Sequence, residues 1–149
     1  MMINNDEQLQ FIIGMAMAEA LDNTTQILLD ELKRIIDQDV YSYEESWGGR
    51  TGQWGESWEK SIFSLANNIV QSKIHQNYGV MIIDKETSSH IQKEELSEII
   101  DTGEGYMFGS TPARPFWSTF ENYVDANLDR IWVTECKKLG LDIKPLSRV

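Results

Sequence analysis

Residues 6–37 have the sequence DEQLQFIIGMAMAEALDNTTQILLDELKRIID, and this stretch decides the fold. Its apolar side chains recur every three or four residues, a spacing that predicts one long amphipathic helix. Asn4 or Asn5 can cap the first turn, where Asp6 and Glu7 favour the positive end of the helix dipole. The chain therefore begins with a long helix that must bury one face.

Two details of this helix carry further expectations. Asn23, Thr24 and Thr25 are weak helix formers in a row, which predicts a kink or a break at that point. Phe11, Met15 and Met17 lie off the main apolar stripe. They indicate either a wide core face or a helix that also packs against a neighbouring subunit.

The rest of the chain predicts two or three strands followed by two helices. We expect a loop at Val40–Gly55, strands at Trp58–Leu65 and Val70–His75, a buried strand at Val80–Ile83, a helix from about His90 to Asp101, a helix from about Phe116 to Leu139, and a tail at 141–149. Gly140 is the natural stop of the last helix. This order predicts an α+β fold in which the long N-terminal helix and the C-terminal helix pack on a small antiparallel sheet.

The length and the net charge of the chain limit the classes of function that it can have. The chain has 149 residues with no break in composition, so we expect one domain over residues 1–149. Its formal net charge of -11 makes binding to duplex DNA phosphates unfavourable. The negative charge suits a soluble acidic protein, a mimic of DNA, or a surface that DNA passes without binding to it. No signal peptide or membrane-spanning stretch is evident, so we expect synthesis in the cytoplasm and no membrane partner.

The chain lacks the usual patterns of an enzyme or a metal site. His75, His90 and Cys136 are scattered, and none has the spacing of metal ligands. The glycines around Arg50 do not form a phosphate-binding loop, because no Gly-Lys-Ser/Thr follows. The sequence predicts no catalytic residue, metal or cofactor, and a buried, inert Cys136 thiol. A hydrolase whose catalytic residues meet only in space stays an alternative.

The aromatic residues are more informative. Trp54 and Trp58 are four residues apart, so a helical turn would bring them to one side. Core packing is the simplest interpretation of Trp58. For Trp47 and Trp54, which flank Arg50 in a glycine-rich stretch, a role in an interface is equally expected, because Trp and Arg are common at the centres of interfaces.

Two stretches resemble the tail-completion, or head–tail joining, proteins of lambdoid and related tailed phages. The first is Val40-Tyr41-Ser42-Tyr43 followed by Arg50-Thr51-Gly52-Gln53-Trp54-Gly55-Glu56-Ser57-Trp58, which is similar to that family's Tyr…Arg-Thr-Gly-x-Leu-x-x-Ser segment. The second is Thr111-Pro112-Ala113-Arg114-Pro115-Phe116-Trp117, which is similar to its Pro-Ala-Arg-Pro-Phe segment. Between them, Ile99-Ile100-Asp101-Thr102-Gly103 lies where the family has a hydrophobic-acidic-Gly strand or turn. The departures are Trp54 in place of Leu and the insert at residues 104–108.

The resemblance implies a non-enzymatic protein of the virion neck. It implies a homo-oligomeric ring, a hexamer, that contacts connector or head-completion proteins on one side and tail terminator or tail tube proteins on the other, with DNA passing through. The interface residues that it and the aromatic pattern suggest are Trp47, Arg50, Thr51, Trp54, Arg114, Pro115, Phe116 and Trp117.

The acidic charge leaves one competing interpretation. An acidic mimic of DNA that inhibits a host nuclease would have a similar charge balance. In a neck ring, the acidic side chains would instead line the channel, and the candidates are Glu94, Glu95, Glu98, Glu121, Asp125 and Asp129. A solvated outer face explains the same residues equally well.

Overall fold

The computed structural model describes residues 5–41, 52–65, 69–81, 94–103 and 113–143. Its helices and strands are α1 (Asp6–Ile36), a π-helical turn (Asp37–Tyr41), α2 (Gln53–Glu56), β1 (Trp58–Leu65), β2 (Ile69–Gln76), a 3-10 helix (Tyr78–Val80), α3 (Leu96–Thr102) and α4 (Phe116–Lys138). The strands form a two-stranded antiparallel sheet packed against the long N-terminal and C-terminal helices. The predicted α+β fold is confirmed.

Helix α1 begins where the capping pattern predicts. The Asn5 side chain accepts a hydrogen bond from the Gln8 backbone N–H at 2.9 Å. The expected break at residues 23–25 was wrong, because α1 continues through them. The Thr24 and Thr25 hydroxyls donate to the carbonyls of Ala20 and Leu21 at 2.8 and 2.7 Å, so both polar groups are satisfied inside the helix.

Three other expectations need correction. The predicted loop at Val40–Gly55 is wrong at both ends, since Val40 and Tyr41 continue α1 as a π-helical turn and Gln53–Glu56 is helical; residues 42–51 lie outside the described part. The predicted strand at Val80–Ile83 is wrong at Val80, which ends a 3-10 helix where the Asn77 side chain accepts from the Gly79 N–H at 3.0 Å; the structure does not describe residues 82–83. Helix α3 begins at Leu96, later than His90, and 90–93 lie outside the described residues.

The chain divides into two compact units, each made of separate stretches. The first unit contains Met1–Leu28, Lys60–Ile74 and Tyr123–Val149, and the second contains Leu29–Glu59 and His75–Asn122. Helices α1 and α4 therefore contribute residues to both. The prediction of a single domain stays a prediction.

The first unit holds the sheet on α1 by polar contacts. The Thr25 and Ser72 hydroxyls are 2.6 Å apart, and the Lys60 ammonium lies 2.5 Å from an Asp22 carboxylate oxygen. A buried cluster in the same unit contains Ala20, Trp132 and Cys136. Burial and, to a smaller extent, the charge of Glu135 raise the pKa of the Cys136 thiol, which is fully buried as predicted.

The end of α4 folds back onto that cluster. Gly140 has a φ of 81°, a left-handed conformation that glycine adopts without strain. The Leu141 N–H then donates to the Cys136 carbonyl at 2.9 Å, which completes a glycine helix stop as predicted. Leu141 and Ile143 pack against the cluster, so the predicted tail starts inside the fold; residues 144–149 lie outside the described part.

Candidate docking site at the start of the last helix

The second unit is centred on a cluster of aromatic rings. Trp54 and Phe116 meet edge to face with ring centroids 5.0 Å apart, and Trp58 stacks on Trp117 at 5.6 Å with a 21° angle between the planes. The rings join the short helix α2, the first residue of β1 and the first turn of α4. Members of the cluster are Tyr41, Trp54, Trp58, Phe116, Trp117 and Phe120.

A closed loop of hydrogen bonds fixes Trp54 in this cluster. Its indole N–H donates to the Ser97 hydroxyl at 2.9 Å, and that hydroxyl donates to the Gln76 side-chain oxygen at 2.7 Å. The Gln76 amide donates to the Ser57 hydroxyl at 3.1 Å, which donates to the Trp54 carbonyl at 2.6 Å. Because every polar group in the loop has a partner, burying it carries little penalty.

Gly55 brings α2 against the end of α1. Its N–H donates to the Tyr41 hydroxyl at 2.8 Å. A Cβ at this position would lie 2.7 Å from the Tyr41 ring, closer than atoms normally approach. A residue without a side chain is therefore required here by a specific contact.

We expect Gly55→Ala to lower the free energy of unfolding by about 1–3 kcal/mol, because the Tyr41 ring must move and its hydrogen bond is strained. Urea denaturation measures this change. Gly14→Ala is the matched control: its Cβ would meet nothing within 4 Å, and alanine favours a helix, so stability should rise slightly. Equal stability of Gly55→Ala and the wild type would contradict this interpretation.

Backbone and side-chain contacts hold the entrance of α4. The Arg114 N–H donates to the Ile100 carbonyl at 2.9 Å, and the Phe116 N–H donates to the Arg114 carbonyl at 2.7 Å. The Asp101 carboxylate accepts from the Trp117 N–H at 3.1 Å, so a side chain of α3 caps α4. The Arg114 guanidinium reaches the Val40 carbonyl at 3.5 Å.

A cleft of about 250 Å³ opens beside these contacts. We call it the aromatic–acidic cleft; it is lined by Trp58, Ser97, Glu98, Asp101, Phe116 and Trp117. The Trp58 indole nitrogen is buried and has no hydrogen-bond partner within the described part of the chain. Trp117 is 36% exposed, so one aromatic wall and two carboxylates are available to a ligand.

Burial separates the predicted interface residues. Trp54 and Phe116 are 5% and 1% exposed, so both belong to the core of this chain, whereas Pro115 and Trp117 are exposed and Arg114 is half-buried. Trp58 is buried, as the simplest interpretation expected. Trp47, Arg50 and Thr51 lie outside the described residues.

Sequence reasoning missed several residues of the site. Ser57, Gln76 and Ser97 form the hydrogen-bond loop, and Asp101 caps α4, although they are far apart along the chain. Short polar residues carry no periodic signal, so only the folded contacts reveal their roles. The strand or turn that the resemblance implies at Ile99–Gly103 is wrong, because Ile99 to Thr102 belong to helix α3.

Comparisons with known proteins add no relative. Neither protein-family models, nor curated proteins, nor solved structures match this chain. Across the described residues, no group of three or more metal-binding side chains occurs. No helix within the described ranges is long and apolar enough to cross a membrane.

Proposed function

We propose that this chain is a non-enzymatic subunit of the neck of a tailed phage, where it forms a ring that joins the head or connector to the tail and lets DNA pass. One observation carries the proposal. The stretches that resemble the tail-completion family are separated along the chain, yet they meet in one site. Contacts between them include the edge-to-face contact of the Trp54 and Phe116 rings and the hydrogen bond from the Arg114 N–H to the Ile100 carbonyl.

The convergence supports the resemblance because short motifs that match by chance need not touch. Val40 and Tyr41 of the first stretch contact Arg114 and Gly55. Asp101 of the segment between the motifs, which forms part of α3, caps the helix that the second motif begins. The motif residues thus act together as the framework of one docking site, which suits a protein whose work is assembly.

The aromatic–acidic cleft supports docking of a cationic side chain from a neighbouring neck protein. Arg and Lys are attracted to the face of an indole ring and to carboxylates. Trp117 offers the ring, and Glu98 and Asp101 offer the charges.

The acidic charge suits a channel through which DNA moves. Carboxylates repel phosphates, so an acidic wall keeps the duplex mobile. Glu94, Glu95, Glu98, Glu121 and Asp125 are exposed, and Asp129 is half-buried. Glu121 also accepts the Trp117 indole N–H at 2.9 Å, which ties the acidic side of α4 to the docking site.

Removing the gene from the phage that encodes this chain tests the proposal. We expect lysates with filled heads and complete tails that are not joined, as seen by negative-stain electron microscopy, and restored joining when the protein is supplied from a plasmid. Normal virions without the protein would contradict the neck function. A protein that stays monomeric and competes with DNA for a host nuclease would favour the acidic mimic instead.

A further inference from the structure

The aromatic–acidic cleft offers hydrogen-bond acceptors to a ligand, but its described side chains offer no free donor. The Ser97 hydroxyl donates to the Gln76 side chain, and the Trp117 indole N–H donates to Glu121. The Trp58 indole N–H is buried, so a ligand in the cleft cannot reach it. A ligand must therefore bring its own donors, which excludes phosphates, carboxylates and other groups that only accept.

The acceptors are two carboxylates of α3. Glu98 and Asp101 are three residues apart on this helix, so they lie on the same side of it with Cβ atoms about 5–6 Å apart. Asp101 accepts the Trp117 backbone N–H through Oδ1, which leaves Oδ2 without a hydrogen-bond partner in the described part of the chain. The Glu98 carboxylate also has no partner among these residues. The cleft thus presents two separate negative groups, one of them held in a fixed orientation.

Aromatic rings form the remaining wall. Trp117 stacks on Trp58, and the Phe116 ring lies against both of them. A cation is attracted to such rings, and a flat cation can lie along a ring while its edge points at a carboxylate. Rings and carboxylates therefore act on the same bound group.

These features match a guanidinium better than an ammonium. The Arg guanidinium is planar and weakly hydrated, and its five N–H donors form a rigid fork that can reach two acceptors at once. The Lys ammonium is a compact, strongly hydrated point charge that gains less from a flat wall. The cleft volume of about 250 Å³ is just below the roughly 300–1,000 Å³ of small-molecule pockets, so it suits a single side chain.

We propose that the aromatic–acidic cleft is a socket for one arginine side chain of a neighbouring protein. The guanidinium lies against the Trp117 ring and donates to the Glu98 carboxylate and to Oδ2 of Asp101. The inference rests on the proposed function for the source of the arginine, a neighbouring neck protein. It deepens that function by naming the chemical group that the docking site selects.

Short peptides test the selection without the natural partner. The probes are N-acetyl-Gly-Arg-Gly-amide, the same peptide with lysine, and the same peptide with citrulline, which has the shape of arginine without its charge. Tetramethylammonium is the probe for a site that recognises cations through its rings alone. Fluorine NMR of the protein labelled with 5-fluorotryptophan reports binding, since the chain has five tryptophans and the Trp117 signal is the one missing from Trp117→Phe.

The arginine peptide should shift the Trp117 signal saturably, with a dissociation constant on the order of 1 mM. The lysine peptide should bind at least about 10-fold more weakly, because a point charge gives up one of the two charge-assisted hydrogen bonds. Tetramethylammonium should bind at least about 10-fold more weakly as well, because it has no N–H to donate. The citrulline peptide should give no saturable shift.

Paired substitutions test the two carboxylates. The variant with Glu98→Gln and Asp101→Asn should lose saturable binding of the arginine peptide. It should stay folded, because asparagine can still accept the Trp117 N–H as a helix cap. The matched control carries Glu94→Gln and Glu95→Gln, which remove the same charge from exposed residues that do not line the cleft. The control should bind the arginine peptide as the wild type does.

Any of four outcomes would overturn the inference: no saturable shift with the arginine peptide, equal binding of the lysine peptide, equal binding of tetramethylammonium, or unchanged binding by the Glu98→Gln and Asp101→Asn variant. These outcomes are separate from the neck function. Unjoined heads and tails after gene removal, together with no arginine binding, would keep the neck function and reject the socket. Selective arginine binding by a protein that is absent from virions would keep the socket and reject the neck function.

Discussion

Phe116→Ala should lower the free energy of unfolding by about 3–5 kcal/mol, the usual cost of truncating a buried aromatic side chain. The Phe116 ring is 1% exposed and lies against both Trp54 and Trp58. Its removal leaves a cavity among rings that hydrogen bonds hold in place, so the site has little freedom to collapse. Urea denaturation followed by tryptophan fluorescence measures the loss.

Phe116→Leu is the matched control for this prediction. It keeps an apolar side chain of moderate size, so most of the stability should remain. A Phe116→Ala protein that is as stable as the wild type but defective in assembly would contradict this prediction. The Phe116 side chain would then be an interface anchor instead of part of the core.

If the proposed neck function holds, Trp117→Ala should weaken binding to the neighbouring neck protein by about 30-fold or more, because truncating a tryptophan at an interface centre costs about 2 kcal/mol or more. Trp117 is 36% exposed and forms one wall of the aromatic–acidic cleft. We expect heads and tails that are mostly unjoined in electron micrographs of lysates that contain only this variant. The free subunit should lose less stability than with Phe116→Ala, because less of the ring is buried.

Two substitutions separate docking from local structure. Trp117→Phe keeps an aromatic wall and loses only the hydrogen bond from the indole N–H to Glu121. The joining of heads to tails should therefore be largely retained. Ser118→Ala changes the adjacent exposed residue and removes only its 3.2 Å hydrogen bond to the Pro115 carbonyl, so head–tail joining should be unchanged. Full joining by a folded Trp117→Ala protein would mean that the cleft is not where the neighbour docks.

The regular parts of the fold could be predicted because their signals are local. Apolar periodicity placed α1 and α4 within a few residues, β-compatible residues placed β1, and alternation placed β2. Gly140 marked the end of α4 because a left-handed residue is needed there. Each of these signals depends on residues close together along the chain.

The wrong predictions arise where a single side-chain contact outweighs the apolar pattern or the helix propensity. The apolar run that begins at Val80 predicts a strand start there, but the Asn77 side chain turns the chain and Val80 ends a 3-10 helix. Thr24 and Thr25 disfavour a helix in isolation, and the Ser72 hydroxyl of β2 helps to hold Thr25 within it. The Thr25 hydroxyl thus has one partner within α1, the Leu21 carbonyl, and one in another element, which no local pattern records.

The candidate site was predicted in part. The motifs identified the segments around Trp54 and Arg114, but not which of their side chains face outward. Trp54 and Phe116 were expected at an interface and are buried in the chain, while Trp117 is the exposed ring. Asp101 and Ser97 enter the site from α3, and their distance along the chain from its other residues hid that role.

The most direct test of the neck assignment is to locate the protein in the particle. If the protein is a neck subunit as proposed, purified virions of the phage whose genome carries its gene can be labelled with gold-coupled antibodies against this chain and imaged by electron microscopy. The account predicts gold at the junction of head and tail, in particles whose joints have been opened enough to expose it. Its absence from purified virions, or label confined to the capsid shell or the tail tip, would contradict the account.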